Sequence, residues 1–262
     1  GNRVLENVVD SNKAVSVGRG TLSTTSINLP RLGIKHGIIS SDKADEKGFF
    51  TELEEKLDLV KDQLLERYEI QCKKNTYNFP FLLEQNVWID SEKLKDNDNL
   101  KKALKHGVLN IGFSGLAECL KALTGEHQGE SKEAQKFGIK IVEFMRKKCD
   151  EYSEKYNLNF NLVATPKEEI SNKFIKMDQA IYGKLKGITD KNRYTNSFHI
   201  PEGYRISTED KIKIEAQYHS LTNGGHIAIV QIKNGDTKDV INVIKTMKEN
   251  GIGYGKIVNM EK

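Results

Sequence analysis

Val108-Leu-Asn-Ile-Gly-Phe-Ser114, continued by Gly115 and Leu116-Ala-Glu-Cys-Leu-Lys-Ala-Leu123, is the stretch of sequence that decides the fold. Its first part is a mostly apolar run with the length of a buried strand. The residues after Gly115 favour a helix, which Gly125 ends. A buried strand that leads directly into a helix is typical of a parallel sheet with helical crossovers.

Strands and helices alternate on both sides of this unit. Upstream, residues 21–29 are a β-branched run that Pro30 stops, and residues 46–70 repeat apolar side chains at helical spacing. Downstream, the pattern predicts a long helix from Ser131, strands at 160–164, 194–200 and 226–232, and a last helix at 237–250. The connection between the fourth and fifth strands is less clearly helical. The elements predict an α/β fold with a five-stranded, mainly parallel sheet and outer helices.

The composition restricts the classes of function. The 262 residues are 37% hydrophobic and 30% charged, and no apolar run approaches the roughly 20 residues that cross a bilayer. We therefore expect a soluble, cytoplasmic protein without a membrane partner. The 41 basic and 37 acidic residues alternate along helical faces, which does not indicate a nucleic-acid partner.

The cysteines and histidines do not form a recognisable metal or disulfide pattern. The three cysteines are far apart, and the six histidines lack the spacing of metal ligands. Cys119 and Cys149 fall on apolar helix faces, where we expect core thiols. His199, His219 and His226 lie on or beside predicted strands, where structural histidines with satisfied ring nitrogens are the expectation.

The strand-to-helix junction after Val163-Ala164 is the best candidate site. Thr165 as cap, Pro166 at the first helical position and Glu168 at the third signal a helix start. Free backbone N–H groups there bind anions such as phosphate, and Lys167 would help. Glu168 and its neighbour Glu169 would repel an anion, so a simple helix cap is the alternative. The buried side of this helix is expected to carry Ile170, Phe174, Met177 and Ile181.

Two glycine-containing turns are weaker candidates. Asn223-Gly-Gly-His226 permits a close approach of the backbone to a ligand, although a plain tight turn is the simpler interpretation. Gly251-Ile-Gly-Tyr-Gly255 lacks the strand and the helix that surround a dinucleotide-binding glycine motif. It therefore does not predict a dinucleotide site.

Several stretches together closely resemble the anaerobic, class III ribonucleotide reductases. In chain order they are Gly18-Arg19-Gly20, Ser26-Ile-Asn-Leu-Pro-Arg31, Ile111-Gly-Phe-Ser-Gly-Leu-Ala-Glu118, Ala164-Thr-Pro166, Gly187-Ile-Thr-Asp190, Tyr194-Thr-Asn-Ser-Phe-His-Ile-Pro201, Asp210-Lys-Ile-Lys-Ile-Glu-Ala216 and Tyr218-His-Ser-Leu-Thr-Asn-Gly-Gly-His-Ile227. The resemblance covers nearly the whole chain. It implies the second five-stranded half of a ten-stranded α/β barrel, as one domain in which residues 1–20 are the remnant of an inner loop and residues 21–262 are the half-barrel.

The resemblance also implies a chemistry. In that family a radical-SAM activating protein installs a glycyl radical, which oxidises a loop cysteine to a thiyl radical. The thiyl removes the ribose 3′ hydrogen, and the ribonucleotide becomes a deoxyribonucleotide. The resemblance assigns substrate phosphate to Ala164, Thr165, Pro166 and Lys167. It makes pocket candidates of Ser23, Ser114, Asn196, Ser197, Asn223, Gly224 and Gly225.

The sequence departs from the family at three chemical positions. Asn2 stands in Gly1-Asn2-Arg3, where the family has its Gly-Cys-Arg thiyl cysteine. Thr21 replaces an active-site asparagine, and Thr222 replaces a cysteine before Asn-Gly-Gly. The resemblance places the zinc site and the glycyl-radical segment beyond Lys262, so we expect no cofactor, metal or catalytic residue in this chain.

Two functions remain open at this stage. The first is a domain or degenerate relative of the reductase, inactive alone, whose partners are a ribonucleotide, the N-terminal half-barrel and the radical-SAM activating protein. The second is a non-catalytic nucleotide-binding or regulatory protein on the same scaffold. Because a half-barrel leaves an edge and an inner face uncovered, we also expect self-association.

Overall fold

The computed structural model describes residues 6–95, 98–164, 168–233 and 236–260. In chain order its main elements are β1 (Thr21–Asn28), α1 (Leu29–His36), α2 (Glu46–Cys72), α3 (Lys101–Leu104), β2 (Val108–Ser114), α4 (Leu116–Thr124), α5 (Lys132–Tyr156), β3 (Asn159–Ala164), α6 (Glu168–Tyr182), α7 (Thr208–His219), β4 (Gly225–His226), β5 (Ala228–Lys233), α8 (Thr237–Glu249) and β6 (Gly255–Met260). Within these ranges, none of the helices combines the length and the apolar character that a membrane span requires.

The strands form two parallel sheets that follow each other along the chain. The first has the order β1-β2-β3-β4, and the second pairs β5 with β6. Only Ile227 separates β4 from β5, so the chain passes from one sheet into the next in a single extended stretch. The predicted α/β class with mainly parallel strands is confirmed.

One predicted strand is wrong, and one strand was missed. Residues 194–200 are irregular, and their strand-like pairing with the sheet is one isolated antiparallel bridge between Asn196 and Ser114. Ser197 has a φ of 45°, which interrupts an extended chain, and the apolar residues around it are buried among helices. The missed strand is β6, whose signal in the sequence is weakened by the glycines at positions 251, 253 and 255. Gly255 lies so close to α8 that a Cβ there would come within 2.6 Å of the Met247 sulfur.

Three helices were also absent from the predicted pattern, namely the four-residue α3 and the longer α1 and α7. Pro30 does stop β1, but it lies in the first turn of α1, where the missing N–H of proline removes no helical hydrogen bond. The segment of α7 buries Glu215 and His219 beside Ile212 and Tyr218. A helix whose buried face is half polar shows no apolar stripe in the sequence, so its periodicity was too weak to predict it.

Helices α2 and α5 cover one face of the first sheet, and α4 packs with α5 and α1 in the same main core. Leu109, Ile111 and Phe113 of β2 and Phe160 and Leu162 of β3 belong to this core. The expectation of core thiols is confirmed for Cys119 and Cys149, which are fully buried, and burial raises the pKa of both thiols. A second core joins α7, β5 and α8.

The predicted buried side of α6 is wrong. The residues that α6 buries are Ser171, Ile175 and Asp178, whereas Met177 and Ile181 are 45% and 61% exposed. The helix thus turns a mostly polar face to the protein and leaves apolar side chains in solvent. The reason is the polar surface on which α6 lies.

Candidate functional site

The face of the first sheet opposite to α2 and α5 is polar. Side chains alternate along a strand, so Asn110 and Ser114 point away from the core that holds Ile111 and Phe113. Asn110 donates a hydrogen bond from Nδ2 to Thr21 Oγ1 at 3.0 Å. A sheet buried between two apolar layers carries apolar side chains on both faces, whereas polar side chains need polar partners. This polar face is therefore the candidate ligand-binding surface.

Hydroxyl and amide groups meet at the carboxyl ends of the strands. Ser114 Oγ at the end of β2 lies 2.7 Å from Ser171 Oγ of α6, and Ser171 donates to Asn196 Oδ1 at 3.3 Å. Thr24 and Ser26 of β1 line the same small pocket. In open parallel sheets, ligands bind at this end of the strands. The structure therefore brings the predicted residues Ser114 and Asn196 together, and it adds Ser171, which the sequence did not indicate.

Of the four residues of the predicted phosphate site, the structure describes Ala164. Ala164 is the last residue of β3 and pairs with His226 of β4. Thr165, Pro166 and Lys167 lie outside the described residues, as does Asn2. The strand β3 ends at Ala164, and α6 begins at Glu168.

Asp178 is a hydrogen-bonding centre that the sequence did not reveal. Its fully buried carboxylate accepts from Asn28 Nδ2 at 2.8 Å, from Arg31 Nε at 2.6 Å and from the Tyr194 hydroxyl at 2.7 Å. Burial, and then the hydrogen bond to Asp178, raise the pKa of Tyr194. One side chain of α6 thus ties together β1, α1 and the irregular segment that carries Asn196.

The Asn223-Gly224-Gly225 turn is fastened to β3. Asn223 Oδ1 accepts from Leu162 N at 3.0 Å, and Asn223 Nδ2 donates to Asn161 Oδ1 at 3.1 Å. A Cβ on Gly224 would lie 2.9 Å from Leu162 O, so only glycine fits this approach. Gly225 has a φ of 126° and begins β4. The turn therefore belongs to the polar face of the sheet.

The remaining predicted positions lie at separate places. The Ser23 hydroxyl accepts from Arg67 of α2 at 3.2 Å, on the helical side of the sheet. Ser197 is buried, and its carbonyl accepts from Leu116 N at the start of α4. Thr222 is buried and donates to the Tyr218 carbonyl at 3.1 Å. These three residues are not gathered with Ser114, Ser171 and Asn196.

A buried polar network holds residues 6–20 against the other end of the sheet. Arg19 donates from Nε to the His106 carbonyl at 2.7 Å and from a terminal nitrogen to the Glu6 carbonyl at 2.8 Å. The His106 ring lies between Asn7 at 3.2 Å and Asp90 at 2.9 Å. Hydrogen bonds from Lys13, Lys93 and His106 outweigh burial and hold the pKa of Asp90 well below its usual range. These hydrogen bonds join residues 6–20 to the amino end of β2.

His219 and His226 form a buried pair behind the polar face, with ring centroids 4.2 Å apart. His226 Nδ1 lies 3.3 Å from Thr222 Oγ1, whereas both ring nitrogens of His219 lack a hydrogen-bond partner among the described residues. Burial, and then repulsion from His226 and His199, lower the pKa of His219 to about 3. The folded protein therefore stabilises the neutral form of the His219 ring.

We expect the protein to lose stability as the pH falls from about 6.5 towards 3. In this range His219 binds a proton in the unfolded chain but stays neutral in the folded protein, where its pKa is about 3. Above about pH 6.5 this contribution is fully present, and by about pH 4.5 its loss reaches roughly 2.7 kcal/mol. His219→Gln should narrow the difference in unfolding free energy between these two pH values, measured by urea denaturation. All other titrating groups are the same in the wild type and in His219→Gln. If the two proteins showed the same change in unfolding free energy between these pH values, His219 would not be the source of the pH dependence.

Comparisons with known proteins agree with this geometry. The family described as anaerobic ribonucleoside-triphosphate reductase matches residues 3–260. The Salmonella typhimurium protein of that name is 32% identical over 86% of this chain and 31% of its own length. The corresponding protein of phage T4 is 30% identical over 82% of this chain and 34% of its own length. The chain thus spans about a third of the length of these relatives.

A solved structure has the same fold. The anaerobic ribonucleotide reductase from Thermotoga maritima in complex with dATP and CTP superimposes with a TM-score of 0.70 at 18% identity. The superposition covers 95% of this chain and 38% of the Thermotoga chain.

Proposed function

Because this chain belongs to the anaerobic ribonucleoside-triphosphate reductase family, we propose that it supplies the nucleotide-binding half of the catalytic barrel of such an enzyme. Residues 21–262 then form one half-barrel domain, and residues 1–20 form an inner loop fastened to it by Arg19 and His106. The polar face of the first sheet becomes the inner wall of the barrel. Its uncovered edge, and the exposed Met177 and Ile181 of α6, would be covered by the other half-barrel or by a second copy of the chain.

The substrate phosphate is proposed to bind at the start of α6, at Ala164, Thr165, Pro166 and Lys167. The observation that carries this proposal is the cluster of Ser114, Ser171 and Asn196 at the carboxyl ends of the strands, where Ser171 lies in the first turn of α6. Helix N-termini bind phosphate through free N–H groups, and nearby hydroxyls donate further hydrogen bonds. The complex of the Thermotoga reductase with dATP and CTP supports a nucleotide as the ligand class.

Reversing the charge at Lys167 should weaken nucleotide binding. We expect Lys167→Glu to bind CTP on the order of tenfold more weakly than the wild type, since a charge-assisted hydrogen bond to phosphate is replaced by repulsion. Isothermal titration calorimetry measures the affinities. Lys176→Glu, an equal charge reversal at an exposed position further along α6, is the matched control. Equal affinities in Lys167→Glu and the wild type would remove Lys167 from the site, and absence of CTP binding would leave Thr165 as a simple cap.

We propose that the radical chemistry of the family requires thiols at two positions where this chain has other residues. Asn2 and Thr222 stand at the two positions where the family has thiols. Within residues 6–95, 98–164, 168–233 and 236–260, no group of three or more His, Cys, Asp or Glu side chains can hold a metal ion, so these residues do not fit the zinc site. The chain's own residues would bind and orient the nucleotide.

The substitutions at Asn2, Thr21 and Thr222 favour a second candidate function, a non-catalytic nucleotide-binding or regulatory protein. It differs from the first in one observable respect. A half of an active enzyme gains turnover when the remainder of a family enzyme is supplied in trans, whereas a regulatory protein binds nucleotide and gains none.

A further inference from the structure

Two buried amide side chains fix the direction of the hydrogen bonds around His106. Asn159 Oδ1 accepts from Val8 N at 2.8 Å, and Asn159 Nδ2 donates to the Gly107 carbonyl at 3.2 Å. Backbone groups cannot exchange the roles of donor and acceptor, so the Asn159 amide has one orientation. Its Nδ2 also donates to Asn7 Oδ1 at 3.3 Å, and Asn7 therefore turns its own Nδ2 towards His106.

The orientation of Asn7 decides which nitrogen of His106 carries the proton. Asn7 Nδ2 donates to the Lys13 carbonyl at 3.2 Å and lies 3.2 Å from His106 Nδ1. Nδ1 must therefore accept, and the neutral ring has its proton on Nε2, which lies 2.9 Å from Asp90 Oδ2. The neutral ring satisfies both contacts. A second proton, on Nδ1, would set two donors against each other and break the contact with Asn7.

Charged side chains from three segments face the His106 ring or its partners. They are Lys13 and Arg19 of residues 6–20, Asp90 and Lys93 of the loop before α3, and Lys105 beside the histidine. Asp90 favours a protonated ring, but Lys13 and Lys93 each donate to its carboxylate at 2.7 Å and offset its charge. Burial outweighs the effect of Asp90 and lowers the pKa of the fully buried His106.

We propose that these hydrogen bonds form a proton-sensitive anchor, which holds residues 6–20 at the amino end of β2 while His106 is neutral and releases them in acid. A released His106 is exposed to water and binds a proton near pH 6.5, as an ordinary histidine does. The anchored form does not, so anchoring is favoured above about pH 6.5 and weakens as the pH falls below it. Under the proposed function, on which this last step alone rests, these residues belong to the inner loop, whose position would then depend on pH.

Hydrogen exchange of the backbone amides, followed by mass spectrometry on a peptide that spans residues 6–18, measures the anchoring. In the wild type, the protection of this peptide relative to the same peptide free in solution should fall by up to about tenfold between pH 7.5 and 5.5. This factor is the linkage of one proton. Peptides from α5 report global unfolding and separate it from release of the segment.

Replacing His106 by a residue that does not titrate should remove the pH dependence. His106→Gln keeps one acceptor and one donor in the side chain, so the segment should stay protected equally at both pH values. His36→Gln is the matched control, because His36 forms another histidine–carboxylate pair, with Glu52 at 2.8 Å, and it should keep the wild-type change. The carboxylates of Glu6 and Asp10 are common to all these proteins and cannot produce a difference between them.

Asn7→Asp gives a second test that does not require substitution of the histidine. A carboxylate at this position accepts from a protonated Nδ1, so protection should rise rather than fall as the pH decreases. A role of Asn7 in packing alone would not invert the pH dependence.

Three results would overturn the anchor. They are a wild type whose protection does not change with pH, a wild-type change that survives in His106→Gln, and an equal loss of protection at both pH values in both variants. None of these measurements uses a nucleotide, so failure of the anchor leaves the proposed function intact, and failure of CTP binding leaves the anchor intact.

Discussion

The isolated chain should form no deoxyribonucleotide, even in an anoxic assay with a radical-SAM activating enzyme, reductant and CTP. The family reaction begins when a thiyl radical removes a hydrogen atom from the ribose, and the S–H bond formed replaces the C–H bond broken. Asn2 carries an amide at the position of that thiol, and an amide cannot take this role. Turnover is therefore expected to be absent rather than reduced.

The chain's own cysteines do not substitute for the missing thiol. Cys72, Cys119 and Cys149 lie in α2, α4 and α5, and all three are fully buried in the core on the helical side of the sheet. None of them faces the polar surface where the nucleotide is proposed to bind. Asn2→Cys alone should therefore not restore activity, since Thr222 still replaces the second thiol and the glycyl radical is still required.

Electron paramagnetic resonance on the same samples completes this test. No glycyl doublet is expected, because Gly251, Gly253 and Gly255 precede the position that the resemblance gives to the radical segment. A full-length family reductase, assayed in parallel, shows that the activating enzyme and the reductant work. Deoxynucleotide formation, or a glycyl doublet on this chain, would show that the chemistry lies elsewhere than proposed.

The second large effect is expected at Asp178. Asp178→Ala should lower the unfolding free energy by about 3 kcal/mol, because it leaves the half-buried Arg31 without its carboxylate and removes the acceptor of Asn28 and Tyr194. Urea denaturation measures the change as a shift in midpoint with an unchanged slope. Glu169→Ala, an exposed carboxylate on the same helix, is the matched control and should change stability by less than about 0.5 kcal/mol.

The comparison between these two variants tests the hydrogen-bonding centre itself. Equal and small losses in both would show that Asp178 does not join α6 to β1 and Tyr194. A large loss for Asp178→Ala with a smaller one for Asp178→Asn would agree with the structure, since asparagine keeps one of the two acceptor oxygens.

Local pattern was sufficient for the elements that bury a uniform apolar face. The strands β2 and β3 and the helices α2 and α5 lie where the sequence predicted them, within a few residues. The motifs around Gly187, Tyr194 and Tyr218 indicated the resemblance to the reductase family. Ser114, Asn196 and Asn223 were found as site candidates through the same motifs, because a motif preserves polar residues that periodicity cannot explain.

Tertiary contacts alone decided which polar residues are buried. In the sequence, α6 shows an apolar stripe through Met177 and Ile181, yet it buries Ser171 and Asp178, whose partners come from β1, β2 and residues 194–196. Likewise, the partner of His199 is Glu215, sixteen residues further along the chain, in a helix that no periodicity revealed. A hydrophobic pattern reports the burial of apolar surface within one element. The burial of a polar group depends on hydrogen-bond partners that other elements supply, and only the folded chain brings these together.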